Sequence, residues 1–86
     1  MSYYVYLLLS KKLNSYISYV GYTKNIKKRL ALHNSSKGAK FTRGRRWFLI
    51  YKKKYISKSK AMKEEYRLKK NYKLRKDLKE NFLINK

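Results

Sequence analysis

The stretch that decides the fold is residues 19–33, Tyr19-Val20-Gly21-Tyr22-Thr23-Lys24-Asn25-Ile26-Lys27-Lys28-Arg29-Leu30-Ala31-Leu32-His33. Val20 and Tyr22 favour a strand, and Gly21 allows that strand to bend or to approach another group closely. Thr23 or Asn25 can cap a helix that follows. The stretch therefore predicts a strand that leads through a short turn into a helix.

The apolar face of this helix carries two polar side chains. Each residue advances by about 100°, so Leu30 lies near roughly 40° when Ile26 is set at zero. On the same scale Arg29 lies near roughly 300° and His33 near roughly 340°. An arginine and the single histidine of the chain beside a buried stripe are better explained by a bound phosphate than by packing.

Hydrophobic periodicity predicts two more strands and two more helices around this stretch. Tyr and Leu enrichment over residues 3–9 favours a buried strand, joined through a polar, longish loop to the strand at 17–22 as an antiparallel hairpin. The other predicted segments are a helix over 24–34, a basic loop with room for one helical turn over 34–46, a strand over 47–53, a helix from Ser57 or Ser59 to Lys70, and a last helix over 72–82 after a break at Asn71. We expect one domain over residues 1–86.

The hairpin brings two tyrosines together. Side chains alternate across a strand, so Tyr6 shares a face with residues 4 and 8, and Tyr19 with residues 17 and 21. If the paired faces match, Tyr6 and Tyr19 lie side by side.

The charge of the chain points to a polyanionic partner. Twenty-five Lys and Arg against four Asp and Glu give a formal net charge of +21, which destabilises a compact state unless a polyanion neutralises it. Nucleic acid is the expected partner. On charge alone, a passive RNA-binding protein fits best. A membrane surface fits less well, because no helix pairs a basic face with a broad apolar one.

The chain has no cysteine, which excludes disulfides, zinc knuckles and cysteine-based catalysis. No signal peptide is recognisable, and no apolar run is long enough to span a bilayer. We therefore expect no membrane association and an intracellular location, in the cytoplasm or nucleoid, or in the nucleus if the source is eukaryotic or viral.

The four acidic residues limit the chemistry that the chain can perform. With Ala61 at zero on its helix, Leu68 lies near roughly 340°, Glu65 near roughly 40° and Glu64 near roughly 300°. Glu65 is thus inside the apolar stripe, where a carboxylate needs a cation or a metal, and pairing with a lysine or with Arg29 is as good an explanation as metal binding. We expect Glu64, at the edge of the stripe, to face solvent or Lys60.

Two-metal nucleases need several convergent carboxylates, and this chain cannot easily supply them. A phosphodiesterase built from it must use one metal and one glutamate, which Mg²⁺ tolerates because it keeps its waters. We expect the face that carries Glu65 to pack on the sheet surface that carries Tyr6 and Tyr19, together with Arg29.

Several short motifs resemble the GIY-YIG nuclease family. Tyr4-Val5-Tyr6 stands at the first motif, with Tyr4 in place of the family's glycine, and Tyr19-Val20-Gly21 matches the second. Arg29 and His33 follow at the family's spacing. The run from Lys37 to Arg46, and Glu65 with the aromatic Tyr66, are similar to the branch of small stand-alone bacterial proteins and the Slx-type nuclease module. Five motifs in order are a specific signal.

The resemblance implies an α+β fold, a three-stranded antiparallel sheet flanked by three to four helices, which matches the pattern above. It also implies metal-dependent DNA hydrolysis, with one Mg²⁺ or Mn²⁺ per site held by Glu65. Tyr19 is then the favoured general base, with Tyr6 orienting it or sharing the proton. Arg29 binds the scissile phosphate, and His33 contacts the phosphate or assists proton transfer.

By the same resemblance, the DNA backbone is bound by the basic segment, at Lys37, Lys40, Arg43, Arg45 and Arg46. The expected substrate is branched, flapped or nicked DNA, and a protein partner or a homodimer is compatible with this branch. From a different functional class, a catalytically silent nucleic-acid-binding module on the same fold remains the alternative. Trp47 and the tyrosines at 16, 22, 51 and 55 are expected to be structural.

Overall fold

The computed structural model describes residues 2–85, which form one small sheet and the helices that cover it. In chain order they are β1 (Tyr3–Lys12), β2 (Ser15–Thr23), α1 (Ile26–Asn34), a 3₁₀ turn (Lys40–Thr42), β3 (Phe48–Tyr55), α2 (Lys58–Lys70) and α3 (Tyr72–Ile84). The predicted α+β class and three-stranded antiparallel sheet are confirmed. Between residues 2 and 85, no helix combines the length and the apolar character that a bilayer crossing demands.

The central strand is β1, which pairs antiparallel with β2 on one side and β3 on the other. Its residues from Val5 to Ser10 are all buried, which explains why this segment reads as a continuous apolar run rather than as an alternating one. Because β1 is covered on both faces, its odd and even residues enter two different cores.

The first core lies between the sheet and helices α2 and α3. It contains Val5 and Leu7 from β1 with Ala61 and Leu68 from α2, and Leu78 of α3 packs at its edge. This arrangement places both C-terminal helices on the face of the sheet that carries the odd-numbered residues of β1.

The second core lies on the opposite face, under α1. Here Tyr6, Leu8 and Trp47 are buried, and Ile26 and Leu30 of α1 pack against them. The predicted apolar stripe of α1 is therefore confirmed, and Trp47 is a core residue as expected. Since α1 and α2 cover opposite faces, the expectation that Glu65 shares a sheet surface with Tyr6 is wrong.

The predicted boundaries of the hairpin are also wrong. Instead of a loop over residues 10–16, β1 runs to Lys12 and β2 starts at Ser15, because Leu13 adopts a left-handed conformation (φ 51°) that closes a two-residue turn. Ser10 looked like a turn residue, yet it is buried within the strand. The polar composition of residues 10–16 suggested a loop, and both strand ends were therefore predicted wrongly.

The remaining boundaries differ by a few residues. Asn25 caps α1, accepting from the Lys28 amide, so the helix starts at Ile26 rather than at residue 24. Strand β3 starts after Trp47 and continues to Tyr55, and α3 continues to Ile84. Asn71 ends α2 and caps α3, as the predicted break requires.

Replacing Leu13 with glycine should stabilise the protein. An L-residue in the left-handed region costs roughly 1–2 kcal/mol, whereas glycine costs roughly 0.5–1 kcal/mol of extra chain entropy, and the Leu13 side chain is exposed and buries little. We expect Leu13→Gly to raise the free energy of unfolding by about 0.5–1 kcal/mol in urea titrations. Asn14→Gly, the matched control at a residue without positive φ, should lower it.

Candidate active site

A buried chain of hydrogen bonds connects β1, α1 and the basic loop. The Tyr6 hydroxyl lies 2.9 Å from His33 Nε2, and His33 Nδ1 lies 2.9 Å from Thr42 Oγ1. His33 and Thr42 are completely buried, and Tyr6 is 2% exposed. The three side chains therefore form one enclosed polar unit inside the second core.

The partners of Thr42 determine which nitrogen of His33 carries the proton. Thr42 Oγ1 donates its only proton to the Ala39 carbonyl at 2.9 Å, and it accepts from the Ala39 amide. It must then accept from His33, so Nδ1 of the neutral ring is protonated and Nε2 is an acceptor. It follows that the Tyr6 hydroxyl donates to His33 Nε2.

Burial keeps both ring systems neutral. Desolvation raises the pKa of Tyr6 above its usual value, although the neighbouring Arg29 guanidinium opposes this. Desolvation, and then the charge of Arg29, lowers the pKa of His33. Near neutral pH, Tyr6 is thus a hydrogen-bond donor that keeps its proton, and His33 is an unprotonated acceptor.

Two glycines make room for this unit. A Cβ on Gly21 would come within 2.4 Å of the Tyr6 hydroxyl oxygen, and a Cβ on Gly38 would come within 2.4 Å of His33 Nδ1. Gly21 belongs to β2, directly opposite Tyr6 in the register of the sheet. The glycine of the second motif is therefore required by the close approach of the Tyr6 ring across the strand.

Tyr19 and Arg29 lie beside the hydrogen-bonded unit. The Tyr19 ring centroid is 5.0 Å from that of His33 and 6.5 Å from that of Tyr6, which confirms that the two tyrosines share a face. Arg29 donates through Nη2 to the Gly38 carbonyl at 3.4 Å. The structure thus brings together four of the five predicted catalytic side chains on one face of the sheet.

The fifth, Glu65, comes from α2 on the other face. Its Oε1 lies 3.5 Å from Lys69 Nζ, so the predicted alternative of a lysine partner is present. Lys69 lines a groove with Tyr19 at β2, which places Glu65 on the β2 side of its helix. The negative charge of Glu65 makes only a minor contribution to the raised pKa of Tyr6, after desolvation by burial and the charges of Arg29 and Tyr19.

Glu64 faces Lys60, one of the two surroundings that were predicted for it, rather than open solvent. It pairs with Lys60 at 3.6 Å, as expected, and with Arg67 at 3.3 Å, but its side chain is only 20% exposed against 19% for Glu65. Its charge contributes, after desolvation, to a raised pKa of Tyr55 in β3. The centre of the apolar stripe lies between the two carboxylates, about 50° from each, so they flank it on opposite sides.

The basic segment lies over the end of α1. Lys37, Lys40, Arg43 and Arg46 are exposed and Arg45 is half-buried, and Arg45 and Arg46 line a separate groove next to Asn34. The Arg46 guanidinium stacks on the Phe48 ring at 5.7 Å. None of the five makes an observed hydrogen bond to Tyr6, Tyr19 or His33 within residues 2–85, so the segment forms a positively charged surface rather than part of the enclosed unit.

Three residues of the site were not identified from sequence. Thr42 orients His33, and Gly38 packs against the imidazole. The Asn34 side chain brackets Trp47, donating to its carbonyl at 3.2 Å and accepting from its amide. Thr42 and Gly38 lie within the basic segment that carries the family resemblance, where the glycine was the available signal of a close approach.

Several known proteins are similar in sequence to this chain. The sequence model described as the GIY-YIG catalytic domain matches residues 2–81. A UPF0213 protein of Oceanobacillus iheyensis is 48% identical over 60 residues, 69% of this chain and 66% of that protein. A UPF0213 protein of Staphylococcus haemolyticus is 48% identical over 61 residues, 70% of this chain and 71% of that protein.

Other relatives align over different shares of the chain. A UPF0213 protein of Streptococcus pneumoniae is 53% identical over 45 residues, and the match covers 51% of this chain and 46% of that protein. The solution NMR structure of a UPF0213 protein from Bacillus halodurans is 37% identical and aligns with a TM-score of 0.49 over 95% of this chain and 85% of that one. The name that these proteins share specifies no activity.

The neutral His33 makes stability depend on pH. Folding lowers the pKa of His33 below its ordinary value of 6.5, so the unfolded chain binds a proton at a higher pH than the folded protein does. The stabilising contribution of the neutral imidazole is therefore complete above pH 6.5. It decreases as the pH is lowered toward the pKa of the folded protein. Because this is the single histidine of the chain, the range from about pH 5 to 6.5, just below the ordinary pKa of histidine, reports on it. We expect the melting temperature to fall across that range.

His33→Gln is the control for this titration. It removes the titrating group, so its melting temperature should be lower than that of the wild type at pH 7.5 but nearly constant down to pH 5. A pH response as large in His33→Gln as in the wild type would show that another group is responsible. Nitrogen-15 NMR of the imidazole should also show the proton on Nδ1.

Proposed function

The chain belongs to the GIY-YIG catalytic domain family, which is a family of nucleases, and we propose that it is a metal-dependent endonuclease that hydrolyses a phosphodiester in DNA. The observation that carries the proposal is the hydrogen bond from Tyr6 to His33 Nε2. It connects Tyr6, which is 2% exposed, to a buried and unprotonated imidazole. Any buried tyrosine hydroxyl needs an acceptor, but this acceptor is an unprotonated imidazole, which can also take up a proton.

The hydrogen-bonded unit supports a proton relay. As a water oxygen forms its bond to phosphorus, its proton passes to the Tyr6 oxygen while the Tyr6 proton passes to His33 Nε2, and the bond from phosphorus to the leaving oxygen breaks. His33 becomes an imidazolium whose Nδ1 proton still donates to Thr42. This geometry favours Tyr6 over Tyr19 as the base, because no protein acceptor contacts the Tyr19 hydroxyl within residues 2–85.

Arg29 is proposed to bind the scissile phosphate. Its guanidinium lies near Tyr6 and is anchored by the Gly38 carbonyl, which leaves other N–H groups for two phosphate oxygens. A cation there stabilises the negative charge that develops on the phosphate during attack. Arg29 and His33 are on the same helix. Helix α1 therefore sets the distance between the bound phosphate and the imidazole that is proposed to accept the proton.

Glu65 is proposed to hold one Mg²⁺ or Mn²⁺. No group of three or more acidic or histidine side chains converges in the described part of the chain, and the proposed donor set is the Glu65 carboxylate alone. That set fits Mg²⁺, which retains most of its waters and accepts phosphate oxygens, and the 3.5 Å contact with Lys69 is longer than a good hydrogen bond. When bound, such a metal supplies Lewis acidity and a water of lowered pKa.

We propose that the substrate is branched, flapped or nicked DNA and that the protein acts in DNA repair or recombination, as the nearest branch of the family suggests. The net charge of +21 and the exposed basic segment support strong attraction to DNA. A second candidate is a silent nucleic-acid-binding module, which the pairing of Glu65 with Lys69 favours, since a carboxylate satisfied by lysine needs no metal.

The two adjacent glutamates provide the test. Glu65→Gln keeps size and polarity but removes the charge proposed to hold the metal, so it should abolish cutting of labelled branched DNA in Mg²⁺ or Mn²⁺ while leaving fold and affinity near those of the wild type. Glu64→Gln, the matched control of equal burial on the same helix, should cut nearly normally. EDTA should stop the wild-type reaction.

The pattern of results distinguishes the candidates. Equal cutting by both variants would exclude Glu65 as the metal ligand, and cutting lost only in Glu64→Gln would move the metal site to the β3 side of α2. No cutting by the wild type in any divalent metal, with DNA binding intact, would favour the silent module.

Arg29→Lys tests the role of the guanidinium. Lysine retains the charge but lacks the planar fork that binds two phosphate oxygens. We expect DNA affinity to be retained and turnover to become slower. The activation free energy should rise by about 2–4 kcal/mol, as it does when an oxyanion donor is lost. Single-turnover rates on branched DNA measure this, and an unchanged rate would restrict Arg29 to backbone binding.

A further inference from the structure

An exposed aromatic ring lies at the edge of the candidate site. Phe41, in the 3₁₀ turn of the basic segment, is 57% exposed, although it packs on its neighbours. Its ring centroid is 6.1 Å from that of Tyr19 with 22° between the planes, and 6.2 Å from that of Trp47. Tyr19 and Trp47 thus support Phe41 from below, and the rest of the ring remains open to solvent.

Phe41 lines a groove that also contains two cationic side chains. The groove is lined by Ser18, Tyr19, Val20, Phe41, Lys69 and Arg75. Arg75 is held in place by the bond from its Nε to the Leu68 carbonyl at 3.1 Å, and the Lys69 ammonium lies 3.5 Å from Glu65 Oε1. An aromatic ring and two cationic side chains therefore line the same groove beside Tyr19.

These groups match the two halves of a nucleotide. An aromatic face stacks on any base, and such stacking is largely independent of sequence. Lysine and arginine bind phosphate oxygens, arginine through paired N–H groups. A peptide aromatic would use the ring but not both cations, and a free anion would use the cations but not the ring.

We propose that this groove binds an unpaired nucleotide of the DNA substrate, with its base stacked on Phe41 and its phosphate between Lys69 and Arg75. A paired base within a duplex is stacked on both sides and cannot offer a face to Phe41, so the groove selects DNA with an unpaired base next to the cut. The inference rests on the proposed function, and it names the feature of branched or flapped DNA that the protein recognises.

Binding without cutting tests this groove. Fluorescence anisotropy of a labelled oligothymidylate, and separately of a blunt duplex, should be measured in EDTA, with intact DNA verified on a denaturing gel. Phe41→Leu retains an apolar side chain but lacks the ring, so we expect its oligothymidylate affinity to fall roughly 5- to 150-fold and its duplex affinity to be unchanged. Phe41→Trp should bind oligothymidylate at least as tightly as the wild type.

Matched controls separate stacking from general effects. Phe48→Leu makes the same change at another exposed phenylalanine, which is 45% exposed and lies outside the groove, and it should bind both DNAs like the wild type. Lys69→Gln should weaken oligothymidylate binding more than Lys70→Gln, since Lys70 stacks on Tyr66 instead. Both lysine variants remove one charge from the same helix.

Three outcomes would overturn the proposal: wild-type oligothymidylate affinity in Phe41→Leu, an equal loss on duplex and on oligothymidylate, or binding by Phe41→Trp as weak as that by Phe41→Leu. Because cutting is not measured, these outcomes are independent of the nuclease activity. A protein that cuts branched DNA but shows no Phe41 effect refutes only the groove, and a protein that shows the Phe41 effect but never cuts refutes only the enzyme.

Discussion

The hydrogen-bonded unit of Tyr6, His33 and Thr42 is the constraint on which the site depends. It connects the central strand, the first helix and the basic loop through two 2.9 Å bonds in a space without solvent. Unpaired polar groups would be expensive there, so each of the three elements is held where its polar atom is satisfied. The same constraint requires glycine at positions 21 and 38. A side chain at position 21 would displace the Tyr6 ring, and one at position 38 would displace the His33 ring.

The sequence predicted the order and type of every major element, because the strands and helices carry clear periodicity and caps. Asn25, Ser57 and Asn71 act as helix caps, as residues with short polar side chains should. The hairpin boundaries could not be predicted, since Leu13 in a left-handed turn violates the usual preference for Gly or Asn. The placement of Ser10 within a buried strand likewise depends on pairing with both neighbouring strands.

The sequence predicted which side chains of the candidate site share one face of the sheet. It did not predict that Glu65 lies on the opposite face. Helical spacing on α1 and alternation along the hairpin place Arg29, His33 and the two tyrosines together, and both rules are local. Whether α2 covers the same face as α1 depends on chain topology, which a helical wheel does not contain. For the same reason the wheel gave Glu64 and Glu65 unequal roles, whereas the structure buries them equally.

Glu65 lies on α2, across the sheet from Tyr6, and its partner Lys69 lines a groove at the edge strand β2. Neutral, desolvated side chains lie inside the candidate site, and charged side chains lie around its edge. In the proposed function, the inner groups exchange protons and the outer groups hold phosphate and metal. Burying Arg29 or Glu65 with the tyrosine would carry a large desolvation cost. Leaving His33 exposed would let it take a proton from solvent at mildly acidic pH, and the proposed relay would then lose its acceptor.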